Sequence, residues 1–340
     1  MLPTILSVVS KTLVFLISSI FTLFIVAIGC YKQGWAFLQK KSHKYPEKLL
    51  KDYNHKTIQL SDIKLHYVEA GDPKAPLMVL VHGFPEFWYS WRFQIKHFAK
   101  THHVVAIDQR GYGDSDKPQG VDKYTVKLLA KDVREVIEKL GYKKAIIAGH
   151  DWGAIVCWYT ALYHPEAVDK LIILNAPHPG AYERVVRAHP TQLLKSWYIG
   201  YFQSPFMPEM YLEFNDFGFL NLALRSPGSG IVNQKNFTDE DLEAFKAAFS
   251  ANGSFTGPIN YYRSMMRDRH AVKDLIKQKA KPDTLIIWGE NDAFLNVQCA
   301  EFSKDLCENG KVEYVTKASH WVQQDEPEKV NELMDAFLSN

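Results

Sequence analysis

Eight short apolar segments, separated by stretches of helical periodicity, constrain the fold of this chain more than any other feature. They occupy residues 57–60, 64–69, 77–82, 103–108, 144–148, 171–175, 284–288 and 311–315. Several, such as LMVLV from Leu77 and AIIAG from Ala145, are unbroken apolar runs rather than alternating ones. Unbroken runs are expected of parallel strands covered on both faces. Helical periodicity occupies residues 124–140, 152–164 and 327–338. Together these predict an α/β fold: a mostly parallel eight-stranded sheet with helices on both faces. Between residue 177 and about residue 273 the alternation stops, and aromatic residues crowd together, including Trp197, Tyr198, Tyr201, Phe202 and Phe206. This stretch reads as a helical lid inserted into the sheet domain.

The amino-terminal region differs in kind. Residues 13–30 carry no charge, and about 18 residues is near the lower limit for crossing a bilayer. A cleaved signal sequence, with Ala27-Ile28-Gly29 at the cleavage spacing, and a buried core helix are the alternatives. The stretch is long for a signal sequence and its leading end is barely basic, which favours a retained single-pass transmembrane helix. Only Lys11 precedes it, whereas Lys32, Lys40, Lys41, Lys44, Lys48 and Lys51 follow. The excess of positive charge after the helix predicts a catalytic domain facing the cytosol, with the endoplasmic reticulum as the expected membrane. Two sequons, at Asn236-Phe237-Thr238 and Asn252-Gly253-Ser254, would matter only on the opposite, lumenal side. The expected division is an anchor and basic linker over 1–54, sheet domain over 55–177 and 274–340, and lid over 178–273.

A net charge of +2 gives no reason to expect nucleic acid as a partner. Four cysteines make no disulfide framework in 340 residues. Cys157 reads as a buried, inert thiol, and Cys299 and Cys307 flank an expected helix without metal-ligand spacing. No residue cluster suggests a metal or cofactor, and oligomeric state is left open.

The chemistry begins at GHDWGA, residues 149–154, where an apolar run meets a helical stretch. This is the setting of a nucleophile elbow, usually written Gly-x-Ser-x-Gly, but Asp151 stands in place of serine. An aspartate, with an ordinary pKa of about 3.9, is already anionic at neutral pH and needs no base before it attacks. It can displace a leaving group from saturated carbon and form an ester whose acyl half belongs to the enzyme. Hydrolysis of that ester then needs an activated water. Two later strand ends supply the groups: Asp292 in GENDAF and His320 in ASHW, with Asp292 orienting the imidazole. Taken singly, Asp151 is a turn former, Asp292 a helix cap and His320 a structural histidine. At three strand ends, in that chain order, they read as nucleophile, acid and base. The oxyanion formed on Asp151 needs donors, expected from the backbone N–H groups of Trp152 and of Phe84 in HGFP.

The motifs HGFPEFWYSWR (82–92), DQRGYGDSDKP (108–118), GHDWGA, GENDAF and ASHW resemble those of the α/β-hydrolase-fold epoxide hydrolases, notably the membrane-anchored epoxide hydrolase 4 type. The resemblance covers roughly residues 55–338; Ala154, where the family usually has glycine, is a small departure. It implies that a lipophilic epoxide and water give a vicinal diol, and that two lid tyrosines donate a proton to the epoxide oxygen. Tyr201, in YFQSP, and Tyr262, in GPINYYR, match those two by local context, with Tyr198 and Tyr261 as neighbouring alternatives. His150 reads as structural, and the loop from Asp108 to Gly113 as a brace for its neighbours. Two other functions compete. A haloalkane or haloacid dehalogenase shares the aspartate nucleophile, although Trp152 and Ala154 stand where haloacid enzymes carry arginines. A non-catalytic binding protein on the same fold is the other.

Overall fold

The protein is described by a computed structural model covering residues 2–251 and 253–339, with side chains from Thr12 onward. Eight strands form one sheet: β1 (Asn54–Gln59), β2 (Lys64–Ala70), β3 (Leu77–Val81), β4 (His103–Ile107), β5 (Ala145–His150), β6 (Val168–Leu174), β7 (Asp283–Gly289) and β8 (Gly310–Val315). Their order is β1-β2-β4-β3-β5-β6-β7-β8, antiparallel only where β2 meets β1 and β4. Strands β3, β4 and β5 are buried at every position, as their unbroken apolar sequences require. Edge strand β1 is exposed except at His55 and Ile58, which are partly buried.

Helices cover both faces. The helix Val126–Lys139 starts on Thr125, whose side chain accepts a hydrogen bond from the Leu128 N–H and so caps a free donor. The helix Trp152–Tyr163 is apolar on nearly all sides and lies buried behind the sheet's centre, contacting β5 and β6. Its close approach depends on Gly153, where a Cβ would sit 2.0 Å from the Val81 carbonyl oxygen. Ala154 fits there fully buried.

Between β6 and β7 the chain leaves the sheet for a series of helices running from Pro179 to Asp268. The longest, Met207–Arg225, is broken by Asn215, Asp216 and Phe217, three consecutive residues in the left-handed region (φ 53°, 54° and 60°). Non-glycine residues rarely adopt that conformation, so tertiary contacts must hold the break in place. Asp216 shows how. Its carboxylate accepts from the Lys41 N–H, from His43 Nε2 at 2.8 Å and from Lys246 Nζ at 3.1 Å. The other ring nitrogen of His43 lies 2.7 Å from Glu243. The basic segment after the amino-terminal helix is thus strapped across the insertion.

That first helix, α1 (Leu2–Gln33), leads into a tight turn ending at Leu38. Residues Thr12–Leu38, which contain an 18-residue window of mean hydropathy 2.7, are long and apolar enough to cross a membrane. The helix is not free-standing, because Ser18 and Thr22 are buried against the insertion. Of the sequons, Asn236 spends its amide donating to the carbonyls of Gln324 and Asp325, and Asn252 lies outside the described residues. Cys157, Cys299 and Cys307 are buried and unpaired, and burial raises each thiol's pKa.

Candidate active site

Asp151 sits between β5 and the helix Trp152–Tyr163 at φ 50°, a left-handed turn that thrusts its side chain out of the sheet. Glycines make room for it. A Cβ at Gly149 would lie 2.5 Å from the Gly153 carbonyl oxygen, and one at Gly83 would lie 2.5 Å from Asp151 Cβ. One oxygen, Oδ1, accepts a 2.8 Å hydrogen bond from the Phe84 N–H. The other, Oδ2, lies 3.4 Å from His320 Nε2. His320 Nδ1 is 2.8 Å from Asp292 Oδ2. The structure therefore brings Asp151, His320, Asp292 and the Phe84 amide to one point, with Trp152 heading the next helix.

Burial and charge set the protonation states. Burial would raise the Asp151 carboxyl, but the hydrogen bond and charge of His320 hold it below the ordinary carboxylate range. For His320, burial works against the charged form, yet the Asp292 charge and the bonds to Asp151 and Asp292 push it up to about 10. At neutral pH the resting site is an imidazolium between two carboxylates.

Supporting residues absent from the sequence reading complete the frame. Asn175, at φ 44°, donates from Nδ2 to Asp292 Oδ2 at 2.7 Å and accepts the Gly289 N–H at 2.9 Å. The Phe294 and Leu295 N–H groups bond Asp292 Oδ1. Fully buried Glu86 accepts the Gly83 N–H at 2.8 Å and faces His150 Nδ1 at 2.7 Å, and His150 Nε2 lies 2.8 Å from the His320 carbonyl oxygen. An acid inside the apolar HGFPEFW stretch was the available signal for Glu86. Asn175 had none beyond its place at a strand end. The Asp108 carboxylate meets His66 Nδ1 at 2.8 Å and the Trp88 N–H at 3.0 Å, tying the end of β4 to β2 and to the segment after β3.

The tyrosines differ in where their hydroxyls lie. Tyr201 is buried, but its hydroxyl points to α1, 2.8 Å from Thr22 Oγ1 and 3.0 Å from the Met207 carbonyl oxygen. Its proton is engaged there. Tyr198, one helical turn earlier, lies close enough to Asp151 and Asp292 that both charges raise its pKa, after the larger effect of burial. Both rings line the larger cavity, but the three-residue step between them turns the Tyr201 hydroxyl toward α1 and leaves that of Tyr198 beside the carboxylates. Tyr262 lies where the sequence suggested: burial and then the Asp151 charge raise its pKa, and its ring is 6.0 Å from that of Tyr198. Tyr261 is elsewhere, donating to the Arg110 carbonyl oxygen.

Two cavities meet at the nucleophile. One, about 240 Å³, is lined by Ile155, Tyr159, Pro179 and Met265; the other, about 410 Å³, by Phe84, Trp197, Phe219 and His320. Asp151, Tyr198 and Tyr262 border both. Among the described residues, no group of His, Cys, Asp and Glu could hold a metal ion.

Comparison with known proteins agrees with this geometry. Residues 76–327 match the profile of the α/β-hydrolase fold family. The chain is 46% identical over 298 residues to epoxide hydrolase 2 of Caenorhabditis elegans, covering 87% of this chain and 83% of that one. It is 43% identical to human epoxide hydrolase 4, over 83% of this chain and 77% of the relative. The crystal structure of Bacillus megaterium epoxide hydrolase in complex with an inhibitor superposes with a TM-score of 0.76 at 32% identity, covering 84% of this chain and all of that one.

Proposed function

The chain belongs to the epoxide hydrolases of the α/β-hydrolase fold, and from that premise we propose that it adds water to a lipophilic epoxide, giving a vicinal diol through an ester on Asp151. The observation that carries the mechanism is the division of labour between the two Asp151 oxygens. Oδ1 is held by the Phe84 N–H, so Oδ2 is the oxygen free to attack. As Oδ2 bonds to a ring carbon, the ring C–O bond breaks and its oxygen takes a proton from Tyr198 or Tyr262. Both phenols keep their protons at neutral pH, since burial and the Asp151 charge raise them.

Forming the ester removes the Asp151 charge. Two of the interactions that raise His320 disappear with it, so the imidazolium releases its proton and restores the ionised phenol. Neutral His320 then takes a proton from water as that water attacks the ester carbon. The resulting oxyanion develops on Oδ1, already facing the Phe84 N–H, with the Trp152 N–H as second donor. Collapse breaks the bond to the substrate oxygen, which receives the proton from His320. Asp151, left as a carboxylic acid, returns its proton to His320 and the resting ion pair is restored. The role of His320 as base for that water is supported by its place between the two carboxylates, Nε2 toward Asp151 and Nδ1 toward Asp292.

Residues 178–273 act in this reading as the lid and carry both phenols. The two apolar cavities either side of Asp151 suit an elongated lipophilic epoxide with its ring in mid-chain. Attachment to a membrane is through α1, supported by its length and hydropathy. The test is a single turnover in water labelled with heavy oxygen, using excess enzyme. The label is expected in Asp151 and not in the diol. Label in the diol with none in the protein would show direct attack by water and end the ester proposal. A His320→Gln variant should gain the mass of one substrate and hold it.

A further inference from the structure

We propose that the lid and α1 form one membrane-embedded face, so that substrate enters the larger cavity from lipid rather than from water. This rests on the membrane attachment proposed above and adds the placement of the lid. The face of α1 turned to the lid carries its buried polar residues beside Val14 and Phe21: Ser18 and Thr22 are buried, and Thr22 Oγ1 meets the Tyr201 hydroxyl at 2.8 Å. Between them and the lid, Phe21 packs edge-on to Trp197 and Tyr201, with centroids 5.5 and 5.4 Å away. The opposite face presents Ile20, Leu23 and Phe24, all between 62% and 68% exposed. A helix with apolar residues outward and polar ones inward is arranged for hydrocarbon, not water.

Depth then follows from geometry. Thr22 precedes the helix end at Gln33 by eleven residues, which is about 16 Å along the axis. Wherever α1 enters hydrocarbon, the lid surface bonded to Thr22 goes with it. The lid is dressed for that position. Apart from Leu50, Met266 and Val297, every exposed large apolar side chain among the described residues lies on α1, its following turn, or residues 193–232 of the lid. Leu194 and Phe206 are 75% and 72% exposed. The 410 Å³ cavity runs from Leu194, Trp197 and Leu222 at this face to Asp151 and His320. Its mouth and the apolar surface coincide.

The experiment uses the full chain in phosphatidylcholine vesicles. Trp35 and Trp197 are 79% and 54% exposed, and the other six tryptophans 3% or less, so Trp35→Phe leaves Trp197 as the only accessible indole. Lipid brominated in its acyl chains should quench about half or more of the Trp197 emission, read as the difference from Trp35→Phe/Trp197→Phe, if the ring lies at the acyl boundary. Vesicle-bound protein whose Trp197 is not quenched would overturn the lid placement and leave the anchor standing. Protein that fails to float with vesicles would overturn both. The measurement needs no turnover, so an inactive enzyme would count only against the reaction. As a second variant, Leu193→Glu/Phe206→Glu alters neither cavity. It should lower kcat/KM about tenfold for a vesicle-dissolved epoxide and leave glycidol, supplied from water, unchanged. Equal loss on both substrates would also overturn the proposal.

Discussion

Around Asp151 every group hangs from a strand end and is held by several partners, whereas the lid above it relies on a broken helix, aromatic packing and a strap from outside. Asp292 shows the first kind of construction: Asn175, His320 and two backbone N–H groups all bond its carboxylate. The lid shows the second, with three left-handed residues stabilised by the linker crossing them. The contrast teaches where precision is stored. In the proposed reaction, charge separation is built into the rigid sheet, and the placement of the proposed proton donors is delegated to a segment whose conformation depends on α1 and the linker.

The largest expected effect tests the sheet side. Asp151→Ala should reduce steady-state diol formation by about 10⁴-fold or more, since no other group can form the ester. Turnover within tenfold of the parent would mean that the strand-end site is not the reaction centre. The lid side is sharpened by three separate variants. Tyr198→Phe and Tyr262→Phe should each lower kcat about 10- to 100-fold, as expected for loss of one of two proton donors. Tyr201→Phe should stay within about twofold, because its hydroxyl serves Thr22 and Met207. Equal losses at 198 and 201 would show that the Tyr201 hydroxyl also serves the epoxide oxygen.

A pH series separates the two half-reactions. The rate of ester formation should be level from about pH 5 to 9, because Asp151 titrates below the ordinary carboxylate range and the phenols above theirs. Ester hydrolysis should rise with pH and level off well below 10, changing about tenfold per unit on its rising limb. A midpoint still at about 10, the value for the resting histidine, would show that Asp151 does not control His320. The same shift bears on stability. His320 is raised from 6.5 to about 10, so its stabilising contribution is complete below 6.5 and lost as pH rises through 10. The gap in Tm between the parent and His320→Gln should narrow over that window.

The smallest effect concerns the strap. Burial would raise the Asp216 carboxyl, but bonds from His43, the Lys41 N–H and Lys246 lower it to about 2. Because that pKa is depressed from 3.8, the strap's contribution is present above 3.8 and fades as pH falls through 2. Asp216→Ala should speed protease cleavage in residues 39–53 several-fold at neutral pH and cost about 1 kcal/mol or less, given its partial exposure. Unchanged cleavage would show that the linker is held by other contacts.

What the amino-acid sequence determined by itself was the sheet and the groups at its strand ends. Buried parallel strands must be apolar throughout, and an elbow tolerates only small residues around its nucleophile, so local composition records both directly. The tertiary structure alone decided the partners of those groups. Asn175 and Glu86 act on residues more than sixty positions away in the chain, and no local pattern encodes such a distance. It also set the different surroundings of the Tyr198 and Tyr201 hydroxyls, which a single helical turn separates. Which of them faces the nucleophile depends on how the lid packs against α1, and aromatic-rich sequence permits either.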